Sequence, residues 1–426
     1  MMLTKFPHAF PQDKLDVDEL LNLLSWADDH KHVMSRFGVH NLNSEFLTIE
    51  KDLYVKYSRQ VSTLQSQWQR RIMESESSHI TSTISDGSKI SSWPEDLIGC
   101  VGLQLQLAFT RLQGNHMENI CLLCVGLLDD FRASLLEKIN KESGRENMPV
   151  EKLCVFSNDC FRFAELLHQE KKDMSESLDV AVAERIGNKI GDVIMQFSSI
   201  STISLGGIMD IICEDIQSEL RETIFRKGIY KDGKEAGMDG SGEGGELSLE
   251  STKRLLSDCA ANLRSWLCDS SLVGIVMRNS LCKTIGMYLE MLLNARPRLG
   301  CEPEGGTLSQ IKADAQTLAT FFAEFDDLIP IQLMDRELSA LREVLQLCDM
   351  DIGMIEEFWM SKLVKSFGRS SSRVVECVLA MRMEIGSQVK GVMSNLRKNV
   401  EAYGEHLIHD EKSVFLLNLV SVFNLE

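Results

Sequence analysis

The sequence predicts an all-α protein, an elongated rod of tandem antiparallel helical bundles. Three observations lead to this prediction. Apolar residues recur every three or four positions through most of the 426-residue chain, which is the period of an amphipathic helix. Proline, which breaks helix interiors, occurs only 7 times. The predicted helices are separated by short connections, which favour antiparallel neighbours in a bundle.

The first strong helical pattern runs from Phe46 to Ile72, where an apolar stripe on one face opposes a charged face. A serine-rich stretch, Ser75 to Ser92, is typical of an exposed loop. It ends in Ser92-Trp93-Pro94-Glu95, a capping-box pattern that predicts a helix from about Trp93 to Gln113. The same spacing predicts further helices at about Met117–Leu135, Pro149–Asp173, Ser177–Ser199, Leu205–Arg226, Ser248–Leu267, Leu272–Ala295, Thr307–Asp327, Gln332–Leu347, Asp351–Lys365, Ser372–Tyr403 and Asp410–Phe423.

The chain is too long for one ordinary hydrophobic core, so we expect more than one folded region. The clearest linker is glycine-rich, because its composition leaves little apolar surface to offset the entropy lost on ordering. We predict a flexible N-terminal segment at 1–20, a first helical-bundle region at 21–228, the linker at 229–247 and a C-terminal helical-bundle domain at 248–426.

Composition and charge limit the classes of function. Apolar residues make up 44% and charged residues 25%, which is ordinary for a folded soluble protein. The net charge of −18 disfavours non-specific binding to nucleic acid. The 12 cysteines are scattered through apolar stretches, which predicts buried reduced thiols. We find no segment of transmembrane length, the longest candidate being Val414 to Phe423, and predict a cytoplasmic protein.

Two short motifs are compatible with a site but fit structural roles better. Gly240 to Gly245 matches the dinucleotide pattern G-x-G-x-x-G, but no predicted strand precedes it, so we interpret it as linker. Cys121 and Cys124 form a C-x-x-C pair inside an apolar helix, without the second ligand pair that a zinc site needs. We therefore interpret both cysteines as core residues.

Carboxylate pairs raise the alternative of a magnesium site. Asp129-Asp130 and Asp326-Asp327 resemble the paired aspartates of helical prenyl-diphosphate enzymes, but each lacks the third aspartate of a D-D-x-x-D run. Asn158-Asp159 lacks the residues that would complete a second cluster. We interpret all three pairs as solvated helix surface.

Histidines give no stronger signal. His406 and His409 could share one helix face, but no third metal ligand is evident. His30 and His32 lie two apart and share no face of a helix. The sequence therefore predicts no catalytic residue, no cofactor and no metal ion, and it does not identify a partner-binding residue.

Several stretches, taken in order, match a known family. They are Leu21 to Met34 with its tryptophan, the aromatic and basic helix end Ser66 to Ile72, Leu153 to Cys160, Ile190 to Lys227, and Val378 to Glu384, an apolar run ending in arginine, any residue, then an acid. In this order they resemble the C-terminal half of the exocyst complex component three family, a vesicle-tethering subunit. The resemblance runs from Leu21 to Lys398, and the tail beyond Lys398 matches nothing in the family.

The resemblance implies a non-catalytic exocyst subunit with a fold of the multisubunit-tether type. Such a subunit would help dock secretory vesicles at the plasma membrane before fusion, through contacts with other exocyst subunits and with SNARE-type fusion proteins. It would be cytoplasmic and reach membranes only peripherally, through the complex. Family members are longer and carry an N-terminal coiled-coil region, so we expect either a fragment or a reduced protein. The alternatives are a helical adaptor, a subunit of another tethering complex, or a helical magnesium-dependent enzyme.

Overall fold

The structure is a computed structural model that describes residues 15–39, 42, 44–74, 82–83, 89–143, 149–221, 249–297, 299, 307–382 and 387–403. Its first helices and strands are α1 (Val17–Arg36), α2 (Ser44–Glu74), β1 (Ser82–Thr83), β2 (Lys89–Ile90), α3 (Trp93–Arg111), α4 (Gly114–Ser143), α5 (Val150–Ser177) and α6 (Val180–Leu220). The later helices are α7 (Glu250–Trp266), α8 (Ser270–Ala295), α9 (Thr307–Ala323), α10 (Ile331–Asp349), α11 (Ile355–Phe358), α12 (Val364–Phe367), α13 (Ser371–Met381) and α14 (Ser387–Tyr403).

The predicted all-α class is confirmed for the described residues. Their β-structure is one antiparallel pair, in which Ser82 faces Ile90 and Thr83 faces Lys89. The pair lies inside the stretch predicted as a loop, and each of its strands is only two residues long. The predicted rod-like arrangement stays a prediction.

The chain divides into two compact units. Unit 1 is Met1–Gly207 with Trp266–Cys268, and unit 2 is Ile208–Ser265 with Asp269–Glu426. The division falls inside α6, whereas the sequence predicts a boundary in the linker at 229–247, which lies outside the described residues. A linker at that position therefore stays a prediction.

Helix α6 runs without the break predicted between Ser199 and Leu205. The serines of that stretch are accommodated inside the helix, because Ser204 donates its hydroxyl to the Ile200 carbonyl and Ser201 bonds to Ser157 of α5. A hydroxyl that has a helix carbonyl or a neighbouring side chain as partner no longer favours a turn. Because the hydroxyls of these serines have hydrogen-bond partners, the helix continues through them and reaches 41 residues.

The predicted flexible segment at 1–20 is too long at its C-terminal end, where the structure has a helix. Helix α1 begins at Val17, and Asp16 caps it by accepting a hydrogen bond from the Glu19 amide, while Glu19 accepts one from the Asp16 amide. This reciprocal capping box satisfies two amides that the helix itself cannot pair. Leu20 is already buried in the core, so Val17 to Leu20 belong to a packed helix and not to a flexible segment.

A second capping box, predicted at Ser92 and Glu95, does not form. Ser92 has helical dihedral angles and its side chain makes no capping bond. The hydroxyl of Ser91 accepts a hydrogen bond from the Trp93 amide instead, and Glu95 pairs with Arg162 of α5. Helix α3 still begins at Trp93, with Pro94 in its first turn.

The core of unit 1 is built from one face of each helix in turn. On α2 the predicted apolar stripe is buried at Phe46, Tyr57, Val61 and Ile72. Leu64 and Trp68 belong to the same predicted stripe but are exposed. An α-helix has 3.6 residues per turn, so an apolar stripe that repeats every three or four residues drifts slowly around the helix. On a long helix, part of the stripe therefore faces away from the neighbouring helix and is exposed.

An aromatic stack joins three helices at the centre of unit 1. Phe163 of α5 stacks on Phe197 of α6 with ring centroids 4.7 Å apart, and it meets the edge of Phe131 of α4 at 5.7 Å. All three rings are buried. Such pairs add to the free energy gained by burying the rings themselves.

Helix α6 is the one helix among the described residues that is long and apolar enough to cross a membrane, by length and composition only. The prediction that no segment has that length is corrected for this helix. Half of its most apolar stretch is buried, and Ile186, Ile190, Val193 and Phe197 lie in the core of unit 1. Packing inside unit 1 therefore accounts for the apolar character of these four positions.

Unit 2 has its own core, centred on α8 and the irregular helices after α10. Trp359 lies in a π-helical turn, Trp359–Leu363, and donates its indole N–H to the Ser371 hydroxyl at 2.8 Å. Tyr288 of α8 donates its hydroxyl to Asp314 of α9 at 3.0 Å. These bonds allow large amphipathic rings to be buried without leaving a donor unpaired.

We expect Phe163→Ala to lower the free energy of unfolding of unit 1 by about 3–5 kcal/mol, because it leaves a cavity between three helices. Phe37→Ala is the matched control, since Phe37 is 79% exposed and its loss should change stability by no more than about 0.5 kcal/mol. Urea titration followed by circular dichroism measures both. Equal effects of the two substitutions would contradict the described core.

Candidate functional site

Three consecutive polar residues, Ser157, Asn158 and Asp159, are fully buried in the middle of α5. The sequence predicts solvated surface for Asn158 and Asp159, and this prediction is wrong. Each of the three side chains points to a different part of unit 1, and each finds a hydrogen-bond partner there. Ser157, for example, pairs with Ser201 of α6 at 2.8 Å between the two hydroxyl oxygens.

Asn158 uses both ends of its amide on backbone groups. Its Nδ2 donates to the carbonyl oxygens of Lys89, at 2.8 Å, and Trp266, at 2.7 Å. Its Oδ1 accepts from the amide of Cys268 at 3.0 Å. The side chain therefore satisfies three backbone groups that β2 and the segment Trp266–Cys268 leave unpaired, which explains why a polar residue is buried here.

Asp159 holds the turn before α3. Its two carboxylate oxygens accept from the Ser91 amide at 2.9 Å and the Ser91 hydroxyl at 2.7 Å. Burial raises the pKa of Asp159 to about 7, although the two bonds from Ser91 act in the opposite direction. The carboxyl group therefore changes charge near neutral pH while it remains inside the core.

A second cluster lies at the mouth of a cleft of about 640 Å³ in unit 1. Asp28 of α1, Glu50 of α2 and His116 of α4 meet there, and both carboxylates are almost fully buried. His116 Nδ1 lies 3.0 Å from Asp28 Oδ1, and His116 Nε2 lies 3.4 Å from Glu50 Oε1. We call this group the Asp28–Glu50–His116 cluster.

Neighbouring groups fix the cluster in place. The Gln113 amide donates to Asp28 Oδ2 at 3.0 Å, and the Tyr54 ring stacks on the His116 ring with centroids 5.2 Å apart. Lys31 forms an ion pair with Glu50. Two carboxylates and an imidazole are ligand types that bind divalent cations, so this cluster is the candidate metal-binding group of the described residues.

The sequence gives no local signal for this cluster. Its three members are separated by 22 and 66 residues, whereas metal motifs are recognised by short spacings along one segment. Helix periodicity could have indicated Asp28 and Glu50, because each is a charged residue on the core face of an amphipathic helix. That signal shows a buried charge but not its partner.

The cysteines of the C-x-x-C pair are core residues. Cys121 and Cys124 are fully buried, and burial raises the pKa of each thiol to about 12. Gln65 donates its side-chain amide to Cys124 Sγ at 3.5 Å. Within the described residues no disulfide is formed, and thiols in this environment are weak nucleophiles at neutral pH.

The other candidate residues are not brought together. Asp129 pairs with Arg132 of its own helix at 2.8 Å, and Asp327 lies 3.3 Å from Arg264 of α7. Asp130 and Asp326 are exposed. Gly240 to Gly245, His406 and His409 lie outside the described residues. His30 stacks on Trp26 with centroids 5.4 Å apart, while His32 lines the cleft beside the cluster.

One face of α1 presents apolar side chains to solvent. Trp26 and Val33 are exposed there at helical spacing, Phe37 continues the same face at the residue after the helix, and Leu47 of α2 is exposed as well. Exposed apolar patches of this kind mark candidate docking surfaces.

Comparison with known proteins gives one family and two solved structures. The profile of the family described as Exocyst complex component Sec6 matches residues 2–387. The chain is similar to the crystal structure of the C-terminal domain of the exocyst subunit Sec6p, with a TM-score of 0.70 and 15% identity, over 88% of this chain and 97% of that chain. It is also similar to the crystal structure of M-Sec, with a TM-score of 0.61 and 13% identity.

The match to M-Sec covers 93% of this chain and 65% of that chain. None of the curated proteins matches this sequence at a significant level. At 15% and 13% identity the two structural likenesses show the fold alone.

Asn158→Asp should lower the free energy of unfolding by at least about 3 kcal/mol, because it replaces two donors with a carboxylate that faces two carbonyl oxygens. Asn188→Asp makes the same chemical change at an exposed position of α6 and should cost no more than about 0.5 kcal/mol. Chemical denaturation of both variants measures the difference. A mild effect at position 158 would show that the amide is not required there.

The pKa of Asp159 predicts a pH dependence of stability. The folded state holds this proton more tightly than the unfolded chain, so its contribution to stability is present below about pH 4 and is lost as pH rises to about 7. We expect the free energy of unfolding of the native protein to fall by on the order of 3 kcal/mol between pH 4 and pH 8 because of this group. Asp159→Asn, which can still bond to Ser91 but does not ionise, should lack this fall. Denaturation midpoints of both proteins across this range test it, and parallel curves would contradict it.

Proposed function

This chain belongs to the exocyst complex component Sec6 family, and on that basis we propose that it is a non-catalytic subunit of the exocyst tethering complex. In this role it helps to dock secretory vesicles at the plasma membrane before fusion, through protein–protein contacts. The observation that carries the proposal is the family match, which extends over residues 2–387 and therefore over both compact units. We further propose that the subunit corresponds to exocyst component three.

The chemistry of the described residues supports a scaffold role. Buried thiols such as Cys121, Cys124 and Cys154 have a pKa raised to about 12, which makes them poor nucleophiles. Asp159 is enclosed in the core, where it holds the Ser91 turn in place. These thiols and the Asp159 carboxyl are enclosed in the helical bundle, which fits a structural role.

The surface of the chain supports protein partners. Its net charge of −18 attracts basic partner surfaces and repels nucleic acid and anionic lipid. The exposed face of α1, with Trp26, Val33 and Phe37, offers apolar area that an interface could bury. We propose other exocyst subunits as the main partners, SNARE-type fusion proteins as further partners, and peripheral membrane association through the complex in the cytoplasm.

Affinity purification of the tagged chain from its own cells, followed by mass spectrometry, tests the function. We expect other exocyst subunits to be recovered with it. A clean and abundant purification that contains no tether subunit would contradict the proposal and leave only a shared helical architecture.

A variant pair tests the exposed face of α1 in the same experiment. Phe37→Asp should lower the recovery of exocyst subunits, because it places a charge on an apolar docking surface. Val180→Asp is the control, since Val180 is 82% exposed and lies at the start of a different helix. Equal recovery with both variants would exclude the α1 face as a contact without affecting the proposal of exocyst membership.

A further inference from the structure

We infer that the Asp28–Glu50–His116 cluster binds one divalent transition-metal ion of the zinc class. The ligands come from three helices, α1, α2 and α4, and all lie within unit 1. This inference does not depend on the proposed tethering function, because it rests only on the geometry and charge of the cluster.

The spacing of the donor atoms suits such an ion. One ligand atom from each residue lies within 4.8 Å of the other two. Whichever ring nitrogen of His116 binds the ion, its separation from the facing carboxylate oxygen, 3.0 Å for Nδ1 and 3.4 Å for Nε2, is close to the roughly 3.3 Å between neighbouring ligands around a tetrahedral zinc ion. The cleft beside the cluster gives water access to a fourth coordination position.

The two carboxylate contacts of His116 favour an additional positive charge. Both ring nitrogens face a carboxylate oxygen, but a neutral imidazole has only one N–H to donate. The other contact then places two acceptors against each other, which is unfavourable unless a positive charge lies between them. Either a second proton or a metal ion supplies that charge, and a metal ion at one ring nitrogen with the proton on the other makes both contacts favourable.

The charge of the cluster also favours a bound cation. Asp28 and Glu50 are both buried, and buried carboxylates are destabilising unless positive charge and hydrogen bonds compensate them. Lys31 supplies one positive charge to Glu50, but its side chain is 35% exposed and sits on a flexible stem. The ammonium group can therefore swing into the cleft and yield its position to a metal ion.

The ligand set selects the class of ion. Magnesium and calcium prefer oxygen ligands alone, whereas an imidazole with carboxylates suits zinc and its neighbours in the first transition row. The surrounding contacts hold the ligands in place, because Tyr54 stacks on the His116 ring and the Gln113 amide fixes Asp28. Such outer contacts raise metal affinity by orienting the ligands.

Titration of the full chain with ZnCl₂, followed by isothermal calorimetry and thermal melting, tests the site. We expect one ion to bind and to raise the melting temperature, because an ion that binds only the folded state stabilises it. MgCl₂ at the same concentration should leave the melting temperature unchanged.

Three variants make the test specific. His116→Gln should weaken zinc binding by more than the roughly 10–100-fold that loss of an outer contact costs. His168→Gln is the matched control, since His168 is exposed on α5 and should leave the affinity unchanged. Lys31→Ala should tighten binding by roughly two- to fivefold, because it removes the competing ammonium group.

CoCl₂ separates this site from the cysteines. Cobalt bound by nitrogen and oxygen gives visible absorption without the near-ultraviolet thiolate bands, and that spectrum should disappear in His116→Gln. Thiolate bands, unchanged affinity in His116→Gln, or weaker binding in Lys31→Ala would each overturn the inference. In the last case the cluster would be an internal ion-pair network completed by Lys31.

Discussion

The buried polar run of α5 is the constraint on which the rest of unit 1 depends. Ser157, Asn158 and Asp159 follow one another along the chain, so their side chains leave the helix in three directions about 100° apart. They bond to α6, to β2 with the segment Trp266–Cys268, and to the turn that begins α3. A purely apolar helix could pack against these neighbours in several rotational positions. Buried hydrogen bonds with defined partners permit only one position, because each alternative would leave polar groups unpaired in a dry core.

Unit 2 uses the same principle with different residues. Asp314 is fully buried beside Tyr288, and Trp359 is buried beside Ser371. In each unit most of the stabilising free energy comes from apolar side chains, and a few polar contacts set the register of the helices. This division of roles suits a scaffold whose surface must keep a fixed shape for several partners, because rigid helices reduce the entropy lost on binding.

The two polar sites of unit 1 differ in how they are exposed. Asp159 is enclosed, so its charge affects folding and its pH dependence. The Asp28–Glu50–His116 cluster opens to a cleft that ions and water can enter. The exposed face of α1 lies on the same helix that supplies Asp28. An ion bound at the cluster would therefore stabilise the helix that carries a candidate docking surface.

The sequence by itself determined the all-α class, the approximate position of most helices and the burial of Cys121 and Cys124. These features follow from the helical period and from hydrophobicity, which act within a few residues along the chain. Only the tertiary structure decided that Asn158 and Asp159 are buried, that α6 continues past Ser199, and that Asp28, Glu50 and His116 meet. In each case a polar group is stabilised by partners that lie far away in the sequence. Local periodicity cannot specify which distant groups come together, because that depends on how whole helices pack.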